Sequence, residues 1–170
     1  ITTGDSNVVI GNGNLRTLTT SSDNVSIGSG AGFAFTGSGS VFIGKQAGRH
    51  QNDSSADGTG NVCIGTEAGQ ALTRTSGSVL IGEYASRAAT TTGYNANTCI
   101  GKQAGRFFTS SLSTTLLGVR AGYNLTTGSS NTCLGNKAGQ TNLTTGSNNT
   151  CLGHEAEPSA TSASNEITLG

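Results

Sequence analysis

The sequence feature that most constrains the fold is a short repeat that runs along the whole chain. A polar residue, a β-branched residue, a variable residue, Ile or Leu, and Gly follow one another ten times. These copies close at Gly11, Gly28, Gly44, Gly65, Gly82, Gly101, Gly118, Gly135, Gly153 and Gly170. The closing glycines lie 16 to 21 residues apart, and most intervals are 17 residues. Such regularity indicates a repeat architecture rather than a disordered linker.

Each copy carries further anchors after its closing glycine. Ala follows three residues later in eight consecutive copies: Ala31, Ala47, Ala68, Ala85, Ala104, Ala121, Ala138 and Ala156. A larger apolar residue follows seven or eight residues after the glycine in six copies: Leu18, Phe35, Leu72, Phe108, Leu125 and Leu143. A turn rich in Ser, Thr and Gly then leads to the next copy. Each repeat therefore offers a short strand, a small-residue corner, one apolar plug and a turn.

This period predicts an all-β fold, a parallel β-solenoid of about ten coils of about 17 residues. The repeat is too short for two helices, and its glycine content disfavours any helix. Nine steps of about 4.8 Å between stacked strands predict a rod roughly 43 Å long. Residues 1–170 form a single predicted repeat domain. Because the chain begins at Ile1 without Met, we expect it to be a fragment of a longer protein.

The predicted strands are apolar on both faces, which bears on assembly. The second and fourth positions of the motif (Val or Thr, and Ile or Leu) share one face, because side chains alternate along a strand. The third position faces the other way and is mostly apolar too: Val9, Phe42, Cys63, Leu80, Cys99, Leu116, Cys133 and Cys151. Strands of this kind need cover on both sides. The coil interior covers one face, and we expect identical chains to cover the other, most simply as a homotrimer. The hand of the coil, and whether the chains interweave, stay open.

The repeat resembles those of phage tail fibres and related trimeric fibre proteins. The pattern N-x-x-I-G-x-x-A-G together with L-T-T-G-S-x-N carries the resemblance, as in residues 124–140, NLTTGSSNTCLGNKAGQ. The opening S/N-V-x-I-G is also similar to the head repeats of trimeric autotransporter adhesins, whose coils are shorter. Residues 162–170, SASNEITLG, resemble the strand that precedes the endosialidase-type intramolecular chaperone of many such fibres. That chaperone would follow residue 170 in the longer protein.

The resemblance implies a homotrimer that attaches to a cell. Similar fibres occur on virions and as bacterial surface adhesins, including those of predatory bacteria. We therefore expect a virion tail fibre or an extracellular bacterial fibre, surface-bound or secreted, that attaches to host or prey. Its expected partner is a cell-surface glycan or another receptor. A purely structural shaft without ligand is the alternative.

Composition argues against several other partners. Nine basic residues balance nine acidic ones, and charged residues make up only 11% of the chain. Binding to nucleic acids and anionic lipids depends on clustered Lys and Arg, so we expect no nucleic-acid binding. No apolar run approaches the roughly eighteen residues of a membrane helix, so we expect no membrane insertion.

The sequence offers little for catalysis or for a cofactor, and we expect neither. Residues 39–46, GSVFIGKQ, approach a phosphate-binding loop, but Gln46 replaces the hydroxyl residue and no helix is predicted to follow. His50 and His154 lie about six coils apart. Asp53 and Asp57 are close enough for glycan cleavage or for calcium, although a solvated turn is the favoured interpretation.

The four cysteines occupy one repeat position. Cys63, Cys99, Cys133 and Cys151 form a column, whereas zinc needs ligands that converge on a point. We interpret them as small apolar packing residues, with a disulfide as the less favoured alternative.

Two longer intervals supply the candidate ligand-binding residues. Residues 49–60 add about four residues to the basic coil, and residues 87–97 add two. Insertions in a solenoid emerge as loops from one face, often the binding face. The candidates are polar side chains and one ring that suit a sugar: Arg49, His50, Asn52, Asp53, Asp57, Tyr94 and Asn95. A tolerated surface loop without ligand is the competing interpretation.

Aromatic and threonine residues complete the predictions. Phe33, Phe107, Phe108 and Tyr123 follow the Ala-Gly step, and alternation predicts that Phe108 fills the core while Phe107 faces outward. Packing between chains is favoured over ligand stacking for these rings. An ice-binding solenoid is a further alternative. It would need a regular outward Thr-x-Thr column, whereas the tandem threonines here are predicted in turns.

Overall fold

A computed structural model describes residues 4–16, 19–49, 58–72, 75–88 and 96–170, and within these ranges it confirms the predicted parallel β-solenoid. The described residues form ten strands of three residues each. They are β1 (Val8–Ile10), β2 (Val25–Ile27), β3 (Val41–Ile43), β4 (Val62–Ile64), β5 (Val79–Ile81), β6 (Thr98–Ile100), β7 (Thr115–Leu117), β8 (Thr132–Leu134), β9 (Thr150–Leu152) and β10 (Ile167–Leu169). They form one parallel sheet in sequence order, so each repeat contributes one rung.

The strand register follows the repeat without a slip. Cys133 pairs with Cys151 in adjacent strands, as the sequence alignment of the two NTCLG copies predicts. The longer intervals keep the same register: Val41 pairs with Val62, and Val79 pairs with Thr98. The extra residues of these two repeats therefore leave the sheet intact.

The middle residue of each strand points into the coil, and its two neighbours point outward. Phe42, Cys63, Leu80 and their equivalents up to Cys151 are buried, and β2 places Ser26 at the same position. Val9 in β1, 40% exposed, and Thr168 in β10 are the two exceptions, because each of these end strands pairs on one side only. The sequence left open which apolar face lies inside. The structure assigns the interior to the third motif position.

The predicted corner and plug residues form the rest of the core. All eight repeated alanines are buried, and so are five plugs: Phe35, Leu72, Phe108, Leu125 and Leu143. Leu18, the sixth predicted plug, lies outside the described residues. Leu15 is buried as well, although the repeat pattern did not single it out. The ring of Phe35 packs edge-on against Phe42, with 4.7 Å between ring centroids.

A ladder of polar side chains, centred on the first residue of each motif, runs beside this apolar core. Asn131 donates from Nδ2 to the carbonyl oxygen of Gly146 at 2.8 Å, and its Oδ1 accepts the backbone N–H of Asn149 at 3.0 Å. Asn24, Asn61 and Asn97 make equivalent bonds in their own repeats. These buried amides satisfy backbone groups of their own coil and of the next coil, which would otherwise be costly to bury.

The closing glycines are required by close contact between coils. Gly118 has a φ of 145°, and a Cβ there would lie 2.1 Å from the carbonyl oxygen of Gly135 in the next coil. Such a distance is impossible without a backbone shift, so any side chain at this column separates neighbouring coils.

Candidate functional site

The predicted ligand-binding residues fall mostly outside the described part of the chain. His50, Asn52, Asp53, Asp57, Tyr94 and Asn95 lie outside it, whereas Arg49 lies within it. The Arg49 guanidinium carbon lies 5.5 Å from the ring centroid of Phe33, and that of Arg16 lies 5.7 Å from the same centroid. Arg49 therefore belongs to a stack of two cations and one ring, contributed by three successive repeats.

A larger stack of the same kind lies further along the solenoid. Its members, which we call the arginine–aromatic ladder, are Tyr84, Arg87, Arg106, Phe107, Arg120 and Tyr123. They occupy the turns that follow β5, β6 and β7, two to six residues after the closing glycine. Because each coil repeats the same backbone, equivalent positions in neighbouring coils bring these side chains into one column.

Arg106 stands at the centre of the ladder and touches three rings. Its guanidinium carbon lies 5.3 Å from the centroid of Tyr84, 5.4 Å from that of Phe107 and 5.8 Å from that of Tyr123. Phe107 and Tyr123 in turn pack edge-on, with 5.1 Å between centroids. Cations over ring faces within about 6 Å are stabilised by the ring quadrupole, so the stack holds the guanidinium in place.

The arginines of the ladder differ in how their charge is balanced. Arg87 pairs through Nε with the carboxylate of Glu67 at 2.6 Å. Arg120 donates instead to the neutral Oε1 of Gln103 at 3.0 Å. Arg106 donates to the Tyr123 hydroxyl at 3.3 Å, and its buried Nε has no hydrogen-bond partner among the described residues. Within the described ranges, neither Arg106 nor Arg120 has a carboxylate partner.

The predicted orientations of Phe107 and Phe108 are confirmed. Phe108 is fully buried and Phe107 is 40% exposed, as alternation predicted. The sequence favoured packing between chains for the outward rings. In the structure Phe33, Phe107 and Tyr123 already pack against arginines of their own chain. The signal that could have revealed this is an alignment of the repeats, which places Arg and aromatic residues at the fifth position after the closing glycine.

A second surface feature is the outward face of the sheet. We call it the outer strand stripe: Val8, Ile10, Val25, Ile27, Val41, Ile43, Val62, Ile64, Val79, Ile81, Thr98, Ile100, Thr115, Leu117, Thr132, Leu134, Thr150, Leu152, Ile167 and Leu169. Leu117, Leu134 and Leu152 are each at least 40% exposed. The stripe carries no charged residue and runs the length of the sheet, and its side chains are aliphatic except at Thr98, Thr115, Thr132 and Thr150.

The cysteines occupy the coil interior as free, buried thiols, which confirms them as packing residues. Burial raises the pKa of the Cys63 thiol to about 12. A hydrogen bond with Cys151, together with burial, raises the pKa of Cys133. The Cys63 and Cys133 thiols therefore stay protonated at neutral pH and are poor nucleophiles or metal ligands.

Other chemistry suggested by the sequence is not assembled in the described residues. Strand β3 is followed by a turn, and not by the helix of a phosphate-binding loop. Across the described ranges, no three His, Cys, Asp or Glu side chains are grouped to hold a metal ion. No helix within those same ranges is long and apolar enough to cross a membrane.

A cavity of about 320 Å³ in the C-terminal repeats is lined by Lys137, Gln140, Thr141, Glu155 and Glu157. Lys137 pairs with Glu155 at 2.5 Å, and this hydrogen bond lowers the pKa of the Glu155 carboxyl. The Glu157 carboxylate accepts the backbone N–H groups of Thr141 and Asn142 at 2.8 and 3.0 Å. The charged groups here are satisfied by one another or by the backbone, which favours a structural role.

Comparison with known proteins does not assign the chain to a family. No family model, curated protein or solved structure matches the chain. The arginine–aromatic ladder and the outer strand stripe therefore carry the functional argument.

Proposed function

We propose that the chain is a segment of a homotrimeric fibre that attaches to a cell surface by recognising carbohydrate. The arginine–aromatic ladder is the observation on which the carbohydrate part rests. The outer strand stripe supports the trimer. The fibre would belong to a virion tail or to the extracellular surface of a bacterium, as the resemblance of the repeats implies.

The outer strand stripe favours other copies of the same chain as its cover. Its side chains repeat at the spacing of parallel strands, about 4.8 Å, over ten strands. A partner that covers all of it needs the same length and the same repeat, and an identical chain meets both conditions. Uncharged aliphatic side chains gain most from removal from water, at roughly 25 cal/mol per Å² of buried area.

The ladder suits a sugar because it combines ring faces with hydrogen-bonding groups. Aromatic side chains cover the apolar faces of sugar rings, while Arg and Gln side chains bind hydroxyl or acidic groups. Phe107 is 40% exposed and lies beside Arg106. The Arg49–Phe33–Arg16 stack repeats this chemistry near the first predicted loop.

The trimer is tested by placing a charge in the outer strand stripe. Light scattering of the unmodified chain should give about three times 16.9 kDa, close to 51 kDa. Leu134→Glu should shift the mass toward 16.9 kDa, because three carboxylates would be buried together. Val119→Glu is the matched control, since Val119 is similarly exposed but lies outside the stripe. A monomeric unmodified chain at micromolar concentration would contradict the proposal.

The carbohydrate part is tested on a broad glycan array with the folded, labelled chain. Binding to one sugar class, lost when Tyr123→Ala removes a ring of the ladder, would support a receptor-binding segment. A folded trimer that binds no sugar would instead support the structural shaft, the main alternative.

One observation supports the ice-binding alternative, and another argues against it. Thr98, Thr115, Thr132 and Thr150 do form an outward column in adjacent strands, which the sequence analysis did not predict. The parallel column beside them is Ile or Leu in every one of these strands. A Thr-x-Thr face is therefore absent from strands β6 to β9.

A further inference from the structure

We infer that the arginine–aromatic ladder binds a carboxylate-bearing sugar, with Arg106 and Arg120 facing the acid group and Phe107 and Tyr123 facing the ring. This inference rests on the proposed function and names the class of glycan. The geometry that points to it is the meeting of two cations that lack carboxylate partners with exposed aromatic surface, in turns of adjacent coils.

The first step of the argument is charge. Glu67 balances Arg87, and Glu83 balances Lys102 at 2.7 Å. No acidic side chain of the described residues pairs with Arg106 or Arg120. A chain whose total charge is zero therefore keeps two guanidinium groups without an acidic partner, and both lie within 5.8 Å of the centroid of the Tyr123 ring. A carboxylate from outside the chain would compensate them.

The second step is preorganisation. Arg106 is held against three rings, and Arg120 lies 5.6 Å from the centroid of Tyr123. Each guanidinium donates one hydrogen bond to a neutral acceptor: Arg106 to the Tyr123 hydroxyl, and Arg120 to the Gln103 amide oxygen. The remaining N–H groups on the two Nη atoms of each guanidinium lie in one plane and match a planar carboxylate, and little side-chain freedom is lost on binding.

The third step separates this ligand class from other anions. Nucleic acid is disfavoured because its affinity depends on many phosphate contacts, whereas the ladder offers two free cations on a chain of zero net charge. A neutral sugar would use the rings but leave both guanidinium groups unsatisfied. A sulfated or phosphorylated sugar presents a tetrahedral anion, and it is kept as a separate arm of the test.

The experiment measures binding to paired oligosaccharides. The probes are galacturonate, glucuronate and sialic-acid oligosaccharides, the methyl esters of the same compounds, a sulfated oligosaccharide and a neutral one. The folded chain should bind at least one carboxylate sugar, and methyl esterification should abolish that binding. Because the interaction is ionic and exposed, affinity should also fall as salt is raised.

Variants of the chain identify the groups that bind. Arg106→Gln should weaken binding by about ten- to a hundredfold, the effect of losing a charge-assisted hydrogen bond. Arg106→Lys keeps the charge without the fork and should lose less. Lys45→Gln removes one cation outside the ladder and should leave affinity unchanged. Thermal unfolding of each variant shows that the fold is retained.

The possible outcomes separate this inference from the proposed function. Binding to neutral sugars, or equal binding to acids and their methyl esters, overturns the inference and leaves carbohydrate attachment standing. Preference for the sulfated probe over every carboxylate also overturns it. Carboxylate binding that Arg106→Gln does not weaken places the site elsewhere and overturns the inference too. No binding to any sugar by the folded chain removes both.

Discussion

The ladder and the C-terminal repeats use the same backbone for different surface chemistry. The second residue after the closing glycine has a positive φ of 60° at Tyr84, 59° at Lys137 and 54° at Glu155. In the ladder, side chains at this second position and at the fifth position after the glycine place cations against rings. In the C-terminal repeats Lys137 meets Glu155, and Glu157 binds backbone N–H groups. One region is left with unbalanced cations, whereas in the other Lys137, Glu155 and Glu157 all have partners within the chain.

This difference shows how a regular solenoid can hold a site. The coil interior is nearly constant, since alanine fills the same buried corner in eight repeats. The outward columns vary without affecting the stacking, because each coil pairs with its neighbours through the backbone. Function can then be assigned to a few adjacent repeats. Four predictions test this division between a shared scaffold and a variable surface.

The largest effect is expected where the scaffold has no room for a side chain. Gly118→Ala places a Cβ 2.1 Å from the Gly135 carbonyl oxygen and strains the backbone at a φ of 145°. We expect a loss of about 3 kcal/mol or more in the free energy of unfolding, measured by urea denaturation at fixed protein concentration.

Gly77→Ala is the matched control for this prediction. Gly77 also has a positive φ, 67°, but nothing lies within 4 Å of the added Cβ. It should cost about 1 kcal/mol from backbone strain alone. Equal losses for the two variants would show that the contact between coils is unimportant.

The second effect concerns the buried polar ladder. Asn131→Ala removes the bond to Gly146 and leaves the backbone N–H of Asn149 without its acceptor. We expect a loss of about 2–4 kcal/mol in the free energy of unfolding. Asn131→Ser should lose less, because Ser78 at the equivalent position accepts the backbone N–H of Asn97 through its hydroxyl. Similar losses for both variants would contradict the role given to the acceptor.

The third effect is a pH dependence that arises in the coil interior. Burial raises the pKa of Cys63 from 9.0 to about 12, so the folded state retains a proton that the unfolded chain releases. Stability should be unaffected by this thiol below pH 9.0 and should fall between pH 9.0 and about 12. The fall approaches about 1.4 kcal/mol per pH unit for one thiol.

Urea denaturation of the unmodified chain and of Cys63→Ala at several pH values isolates the contribution of this thiol. The variant should start less stable, since it lacks the buried sulfur atom, and then lose less stability as the pH rises. Identical slopes would contradict the prediction.

The smallest effect on stability is expected in the ladder itself. Tyr123→Gln removes the ring next to Arg106 and Arg120. Glutamine is chosen because Gln140 occupies the equivalent position in the next repeat. We expect a loss of about 1 kcal/mol or less. A double-mutant cycle with Arg106→Gln should give a coupling energy of about 0.5–1 kcal/mol. A coupling of zero would mean that Arg106 and Tyr123 act independently.

Sequence reasoning predicted most of the fold because the repeat is strict. The spacing of the closing glycines defined the ten strands and their register, and the alanines and apolar plugs identified the core. It missed the buried role of Asn131 and its equivalents, although the first motif position is usually Asn. The pattern showed that the position was polar. It did not show that the side chain turns inward to bind a carbonyl group of its own coil.

Prediction of the site was less complete. The two long loops drew attention because they break the period, and of their candidate residues only Arg49 lies in the described part of the chain. Arg106, Phe107, Arg120 and Tyr123 of the ladder lie in repeats of ordinary 17-residue length, so no irregularity marked them. Arg106 and Tyr123 lie 17 residues apart in the sequence, and they become neighbours only when the coils stack.

The sequence by itself determined the repeat, the parallel stacking and the identity of the buried columns. The reason is that the tight positions of the coil accept few residues other than glycine and alanine. The tertiary structure decided which apolar face turns inward and which remains as the outer strand stripe. It also decided which cations meet a carboxylate and which meet a ring. These choices depend on distances between coils, and a one-dimensional pattern contains no such distances until the register of stacking is known.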